Sequence, residues 1–137
     1  MEPVYTTSAI STGEGRNGKA ALTDGTLELD MATPRETGGQ GGGANPEQLF
    51  AMGYAACFHS ALKVVGGRLS KPVAGSTVTA EVTLGRDAED FGIAVKLTAS
   101  VPQVSAAEAR ELIEAAHEVC PYSKATRGNI PVELAVD

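Results

Sequence analysis

Two cysteines are the residues here most able to do redox chemistry, and they sit in different settings. Cys57 lies in Gln48-Leu-Phe-Ala-Met-Gly-Tyr-Ala-Ala-Cys-Phe-His-Ser-Ala-Leu62, a stretch without Asp, Glu, Lys or Arg. Cys120 follows Ala115-Ala-His-Glu-Val119 and precedes Pro121. A thiol in apolar surroundings has a raised pKa and is inert, so a reactive one needs a cation brought from elsewhere in the fold. Arg16, Arg35 and Arg127 are the loop arginines that could supply it, and each could equally be a solvated charge. The pair is either two core fillers, since free cysteine is commonly buried, or one dithiol site. Joining them would need Cα atoms within about 7 Å, which spacing alone does not establish.

Two other chemistries use the same region. Cys57-x-His59 and His117-x-x-Cys120 offer four metal-ligating side chains. On a helix, residues two apart point in nearly opposite directions, so Cys57 and His59 do not chelate together, whereas His117 and Cys120 can. Gly39, Gly41 and Ala44 fit a loose G-x-G-x-x-A pattern. A dinucleotide site would need a strand directly before it, a βαβ setting and an acidic residue about 20 positions on, and this context is missing. A plain flexible loop is the reading of Gly38 to Gly43.

The elements that must position the cysteines are legible. Asn45 is a good N-cap, Pro46 suits the first helical position, Gln48 completes a capping box and Glu47 suits the helix dipole. This helix runs to about Val65, stops at Gly66-Gly67, and is apolar enough to be buried on most sides. A second helix opens at Ser105 with Glu108 in the box, and carries Leu112, Ile113, Ala116 and Val119 as its stripe. Pro121 ends it at or just before Cys120. Strands are expected where Val78, Ala80, Val82 and Leu84 alternate with polar residues, and again at Ile93, Val95, Leu97, Ala99 and Val101, with Gly85 to Gly92 linking a hairpin. Ile130 to Val136 reads as a last strand, Leu27 to Met31 as a short one, and Tyr5 to Lys19 as an edge strand ending in the Thr12 to Gly18 loop. The whole is α+β in one domain, residues 1–137, with antiparallel sheets wrapped around two helices.

Composition narrows the function classes. The 137 residues fit one domain. Three Phe, three Tyr and no Trp leave a core of Val, Leu, Ile and Ala. A net charge of −6 with no basic block argues against tracking nucleic-acid phosphates. The uncharged stretch 48–62 is too short to span a bilayer, and no basic-then-apolar leader opens the chain. Two cysteines do not make a disulfide-rich secreted scaffold, so a cytoplasmic home is the default, where a cysteine pair that oxidises is catalytic or sensory more often than structural.

Two long motifs carry a resemblance: Asn45-Pro-Glu-Gln-Leu-Phe-Ala-Met-Gly-Tyr-Ala-Ala-Cys-Phe58 and Val119-Cys-Pro-Tyr-Ser-Lys-Ala-Thr-Arg-Gly-Asn-Ile130. With Tyr5-Thr6, Thr33-Pro-Arg-Glu36 and Phe91-Gly-Ile93, they make the chain resemble the organic hydroperoxide resistance (Ohr) proteins of the Ohr/OsmC family along its whole length. His59 and Ser60 stand where that family has small or apolar residues, and Lys124 where Asn is usual. The resemblance implies an OsmC-like fold, an intertwined homodimer, and a thiol-dependent peroxidase for organic hydroperoxides that uses no metal or prosthetic group. It implies Cys57 as the peroxidatic cysteine, Cys120 as the resolving one, Arg16 as the catalytic arginine with Glu47 as its carboxylate partner, and a lipoyl-type dithiol as reductant. Apolar neighbours Phe50, Met52, Phe58 and Phe91 are the expected substrate-binding side chains. An OsmC-type stress peroxidase of broader range, a non-catalytic redox sensor and a dimer with inert thiols are the other readings.

Overall fold

The computed structural model describes all of residues 1–137, which divide into two compact units, 1–49 and 50–137. The first unit is an antiparallel sheet of three short strands, β1 (Ala9–Thr12), β2 (Lys19–Leu22) and β3 (Glu28–Asp30), in that order. The edge strand expected from Tyr5 onward is therefore shorter, and β2 follows the loop as its partner. That loop makes a single 3-10 turn, Gly15–Asn17, which carries Arg16. Its exit is set by Gly18, where a β-carbon would stand 2.1 Å from the Thr12 carbonyl oxygen, so only glycine closes the loop this tightly. Asn17 Oδ1 accepts the Thr33 N–H at 2.9 Å and fixes the loop from the other side.

The glycine run 38–43, flexible by composition, is tied down. Gly41 N–H donates to Thr33 O at 3.0 Å, Arg35 Nε to Gln40 O at 2.9 Å, and Met31 bridges Ala44 in parallel. Arg35 thus has a structural task inside its own loop. The run delivers the chain to α1 (Pro46–Arg68), whose start is the expected capping box: Gln48 N–H to Asn45 Oδ1 at 2.9 Å and Asn45 N–H to Gln48 Oε1 at 3.0 Å.

α1 begins in the first unit and continues through the second, where it meets β4 (Thr77–Asp87), β5 (Asp90–Ser100), α2 (Ala106–Val119), α3 (Pro121–Thr126) and β6 (Val132–Val136). β4 and β5 form the predicted hairpin, though both strands extend through the linker to a two-residue turn, Ala88-Glu89. β6 pairs with β5 in parallel, Val95 opposite Val132 through Ala99 opposite Val136. This sheet is mixed, not antiparallel as expected. The reason is that α2 and α3 intervene between β5 and β6, and such a crossover returns the chain in the same direction. The core is one cluster: Tyr54, Phe58, Leu62 and Val65 from α1, Leu112, Ile113 and Ala116 from α2, and Val95, Leu97 and Ala99 from β5.

Three helix features differ from expectation. α1 is buried along one stripe, Tyr54, Phe58, Ala61, Leu62 and Val65, while Met52 and Val64 on other faces are exposed in the single chain. An apolar composition shows that a helix can be covered on most sides; this chain covers only one. The 23-residue helix is also longer than its uncharged stretch, and by length and composition it could cross a bilayer; its buried stripe packs on the sheet and α2 instead. Val119, expected in the α2 stripe, is exposed, and Ala109 takes a place in the core. The Ser105–Glu108 capping box forms as predicted.

α1 does not stop at Gly66-Gly67 but runs on to Arg68. The left-handed residue that turns the chain is Ser70, φ 53, and Lys71 N–H closes back on Gly66 O at 2.9 Å. The two glycines have different reasons to be there. A β-carbon at Gly66 would stand 2.7 and 2.8 Å from the Val73 methyls, whereas one at Gly67 would meet nothing within 4 Å. Gly67→Ala is therefore expected to stabilise the protein by about 0.5–1 kcal/mol, since glycine lowers helix stability by that much relative to alanine. Gly66→Ala is expected to lose about 1–3 kcal/mol by overpacking. Urea unfolding of the two variants checks both signs.

Candidate active site

Cys57 lies midway along α1, and Cys120 occupies the corner between α2 and α3. Pro121 does end α2, but it also begins α3 at the first helical position, a place that suits its fixed φ and missing N–H. Cys120 caps both helices in extended geometry, φ −69 and ψ 125. The two sulfurs are 3.6 Å apart, with the Cys120 thiol directed at Cys57. Both cysteines are free; Cys57 is half-buried and Cys120 has no exposed surface. The structure thus brings together two thiols 63 positions apart in sequence.

A buried polar network holds the corner. His117 Nδ1 and Ser123 Oγ are 2.8 Å apart, spanning Cys120 from one helix to the next. Tyr54 of α1 places its hydroxyl 2.9 Å from both Ser123 Oγ and Thr126 Oγ1. Arg127 Nη1 donates to His117 O at 2.7 Å. Every buried side-chain N and O has a partner, which is what a buried network needs in order to rigidify. Burial pushes His117 below its ordinary pKa, and Arg127 adds to the shift. His117 is thus engaged with Ser123, and His59 pairs with Ser76 Oγ at 3.0 Å. No three His, Cys, Asp or Glu side chains gather as a metal ion would require.

Burial pushes the Cys57 thiol up; the Tyr122 backbone amide pulls it partly back, and the neighbouring Cys120 adds to the rise. The thiolate, the reactive form, is disfavoured in these surroundings unless a positive charge is supplied. In the first unit, Arg16 and Glu47 make a two-pronged ion pair, Nη1 to Oε2 at 2.9 Å and Nη2 to Oε1 at 2.8 Å. The bond to Glu47 raises Arg16 above its ordinary value, and Arg16 holds the Glu47 carboxyl below the usual range. A depressed carboxylate keeps its pairing through the ordinary carboxylate range and loses it only as pH falls through its lowered folded pKa. Carboxyl-carbon NMR is expected to place Glu47 titration below that of an unpaired glutamate, and Arg16→Ala to move it up.

The apolar side chains do not gather around the thiols as a set. Phe50 stands edge-on to Tyr54 at 5.9 Å between ring centroids and 6.2 Å from Tyr122. Phe58 is wholly inside the core, Met52 is exposed on α1, and Phe91 lies at the hairpin with Arg86 stacked 4.8 Å from its ring centre. Tyr122, the Tyr54–Ser123–His117 network and Gly53 are not marked as site residues by their types or spacing in the sequence. A glycine in mid-helix was the one signal for the last.

Two thiols in near contact, one half-buried and one enclosed in a polar-braced corner, define a redox protein whose chemistry is carried by cysteine. The family model for OsmC-like proteins matches residues 39–135. The organic hydroperoxide resistance protein of Xanthomonas axonopodis pv. citri is 47% identical over 135 residues, covering 97% of this chain and 94% of its own. The protein OhrA of Bacillus subtilis is 46% identical and covers 98% and 97%. Among solved structures, an organic hydroperoxide resistance protein from Legionella pneumophila superposes with a TM-score of 0.93 at 47% identity, covering 99% of each chain. OhrB of Bacillus subtilis gives 0.87 at 41%, covering 97% and 98%. The chain belongs to the OsmC-like family, on its organic hydroperoxide resistance branch. It is a thiol-based peroxidase by this kinship and its redox-capable cysteine pair.

Proposed function

We propose that the protein reduces organic hydroperoxides to alcohols in the cytoplasm as a homodimer, with Cys57 attacking and Cys120 resolving. The observation that carries this reading is the 3.6 Å approach of a half-buried thiol and an enclosed one. The Cys57 thiolate attacks the terminal oxygen of R–O–OH; the O–O bond breaks, RO⁻ leaves and takes a proton, and Cys57 becomes a sulfenic acid. Cys120 then attacks that sulfur, water departs, and a disulfide forms before further oxidation to sulfinic acid. An external dithiol, of the lipoyl class, reduces the disulfide by two exchange steps and is itself oxidised to a cyclic disulfide.

Arg16, held by Glu47, supplies the positive charge that favours the thiolate and the growing charge on the departing oxygen. Glu47 and Cys57 are ten positions apart on the unbroken α1, about 15 Å of rise. This separation favours a site shared across the dimer, in which the Arg16–Glu47 unit of one protomer serves Cys57 of the other. The uncovered faces of α1 that carry Met52 and Val64 support a second copy as their cover. Phe50, Met52 and Phe91 remain the proposed apolar side chains for the organic group, Phe50 foremost through its place beside Tyr122, while Phe58, enclosed in the core, backs the site from behind.

Steady-state turnover with dihydrolipoamide tests the reading. Many equivalents of cumene hydroperoxide are expected to be consumed, at higher kcat/KM than hydrogen peroxide. Equal efficiency toward both would favour a stress peroxidase of broader range, and consumption of one equivalent only would favour a redox sensor.

A further inference from the structure

Glycine inside a helix lowers its stability relative to alanine, so one in mid-helix calls for a packing reason. For Gly53 the reason is Tyr122. A β-carbon at position 53 would stand 2.9 Å from Tyr122 Oη, 3.2 Å from Cε2 and 3.3 Å from Cζ. The tyrosine ring rests on the bare backbone of α1 there. Phe50, 6.2 Å away between centroids, and Tyr54, 5.7 Å away, flank it on the inner side, so a displaced ring is driven toward its exposed side, away from α1. Tyr122 is the second residue of α3, its backbone amide lowers the pKa of the Cys57 thiol, and Cys120 precedes it by two positions. The seat at Gly53, the start of α3 and the corner carrying Cys120 therefore form one short mechanical chain.

We propose that Gly53 is a positioning residue for the thiol pair: by seating the Tyr122 ring against α1 it fixes the start of α3 and keeps Cys120 within bonding reach of Cys57. The inference rests on the two-cysteine reading above. A disulfide requires the sulfurs to close from 3.6 Å to about 2.05 Å, so a few tenths of an ångström lost at the corner fall directly on the closing step. A side chain at 53 raises that gap and moves the Tyr122 amide away from Cys57, and both effects grow with its size.

The experiment follows wild type, Gly53→Ala and Gly53→Leu after one equivalent of cumene hydroperoxide, timing disulfide formation by quench and mass spectrometry, with the pH profile of Cys57 alkylation measured in parallel. Gly53→Ala is expected to slow closure by about threefold to tenfold and Gly53→Leu by more, on the sensitivity of rate to sub-ångström misplacement. The alkylation midpoint is expected to move to higher pH. In a Tyr122→Ala background, Gly53→Ala is expected to cause no further slowing. Closure by Gly53→Ala at the wild-type rate with an unmoved midpoint overturns the inference, as does a defect that persists in full without the Tyr122 ring. A wild-type protein that forms no disulfide overturns the two-cysteine reading and this inference with it.

Discussion

Cys57→Ser is expected to lower peroxide reduction by ~10³-fold or more, the scale reached when the nucleophile of an interdependent unit is removed. A serine hydroxyl in these surroundings has no route to ionise, and its oxygen gains nothing from attack on O–O. Cys120→Ser is expected to separate the two half-reactions. Its first turnover still releases one equivalent of alcohol, because Cys57 and the Tyr122 amide are intact. The sulfenic acid then has no thiol 3.6 Å away, and excess peroxide carries it to sulfinic acid. Peptide mass spectrometry reads the difference: loss of two hydrogens in wild type, two added oxygens on Cys57 in Cys120→Ser, no change at Cys120 in Cys57→Ser. A Cys57→Ser protein with undiminished turnover, or a Cys120→Ser protein that cycles at the wild-type rate without sulfinic acid, would sink the assignment. The distinction rests on geometry, because Cys120 is fully enclosed and meets peroxide only through Cys57.

What could be read from the chain depended on whether the information was local. Asn45 with Gln48, and Ser105 with Glu108, are three-residue signals, and both boxes form as written. The alternation of Val78 to Leu84 with threonines and Glu81 is equally local, and Val78, Ala80 and Val82 pack on the core. The direction of β6 was not legible, since inward and outward residues alternate identically in parallel and antiparallel strands. α3 was hidden because Pro121 serves as stop and start at once, and six residues hold too little periodicity to declare a helix. How far α1 is covered was not legible, because composition says what a face tolerates, not what covers it. At the site, the cysteines were visible as residue types, but their contact spans 63 positions. The seat of Tyr122 on Gly53 is equally non-local. The Arg16–Glu47 pairing came from the motifs' resemblance, and no spacing rule would have produced a two-pronged bond across 31 positions.

Arg16→Ala is expected to lower kcat/KM by about 10²–10³-fold, as removal of a preorganised donor at a developing oxyanion does. Two effects add. The Cys57 thiol, already raised by burial, loses its counter-charge, so its alkylation midpoint moves to higher pH; and the departing alkoxide loses its stabiliser. Glu47→Gln is expected to fall between wild type and Arg16→Ala, since the guanidinium keeps its charge and loses the two-pronged hold that aims it. Mixed dimers decide which protomer supplies the arginine. In a shared site, an Arg16→Ala protomer still offers Cys57, and a Cys57→Ser protomer still offers Arg16 and Glu47. Each heterodimer then has one complete site, although neither parent has any. Random exchange at equal concentrations makes about half the dimers mixed, giving about a quarter of wild-type activity from two inactive parents. In a site built within one protomer, the same mixture stays at the level of its parents, because no single chain carries both Arg16 and Cys57. That outcome would overturn sharing between protomers while leaving the role of Arg16 standing. Recovery would show that the ten-position span of α1 between Glu47 and Cys57 is bridged by a second chain.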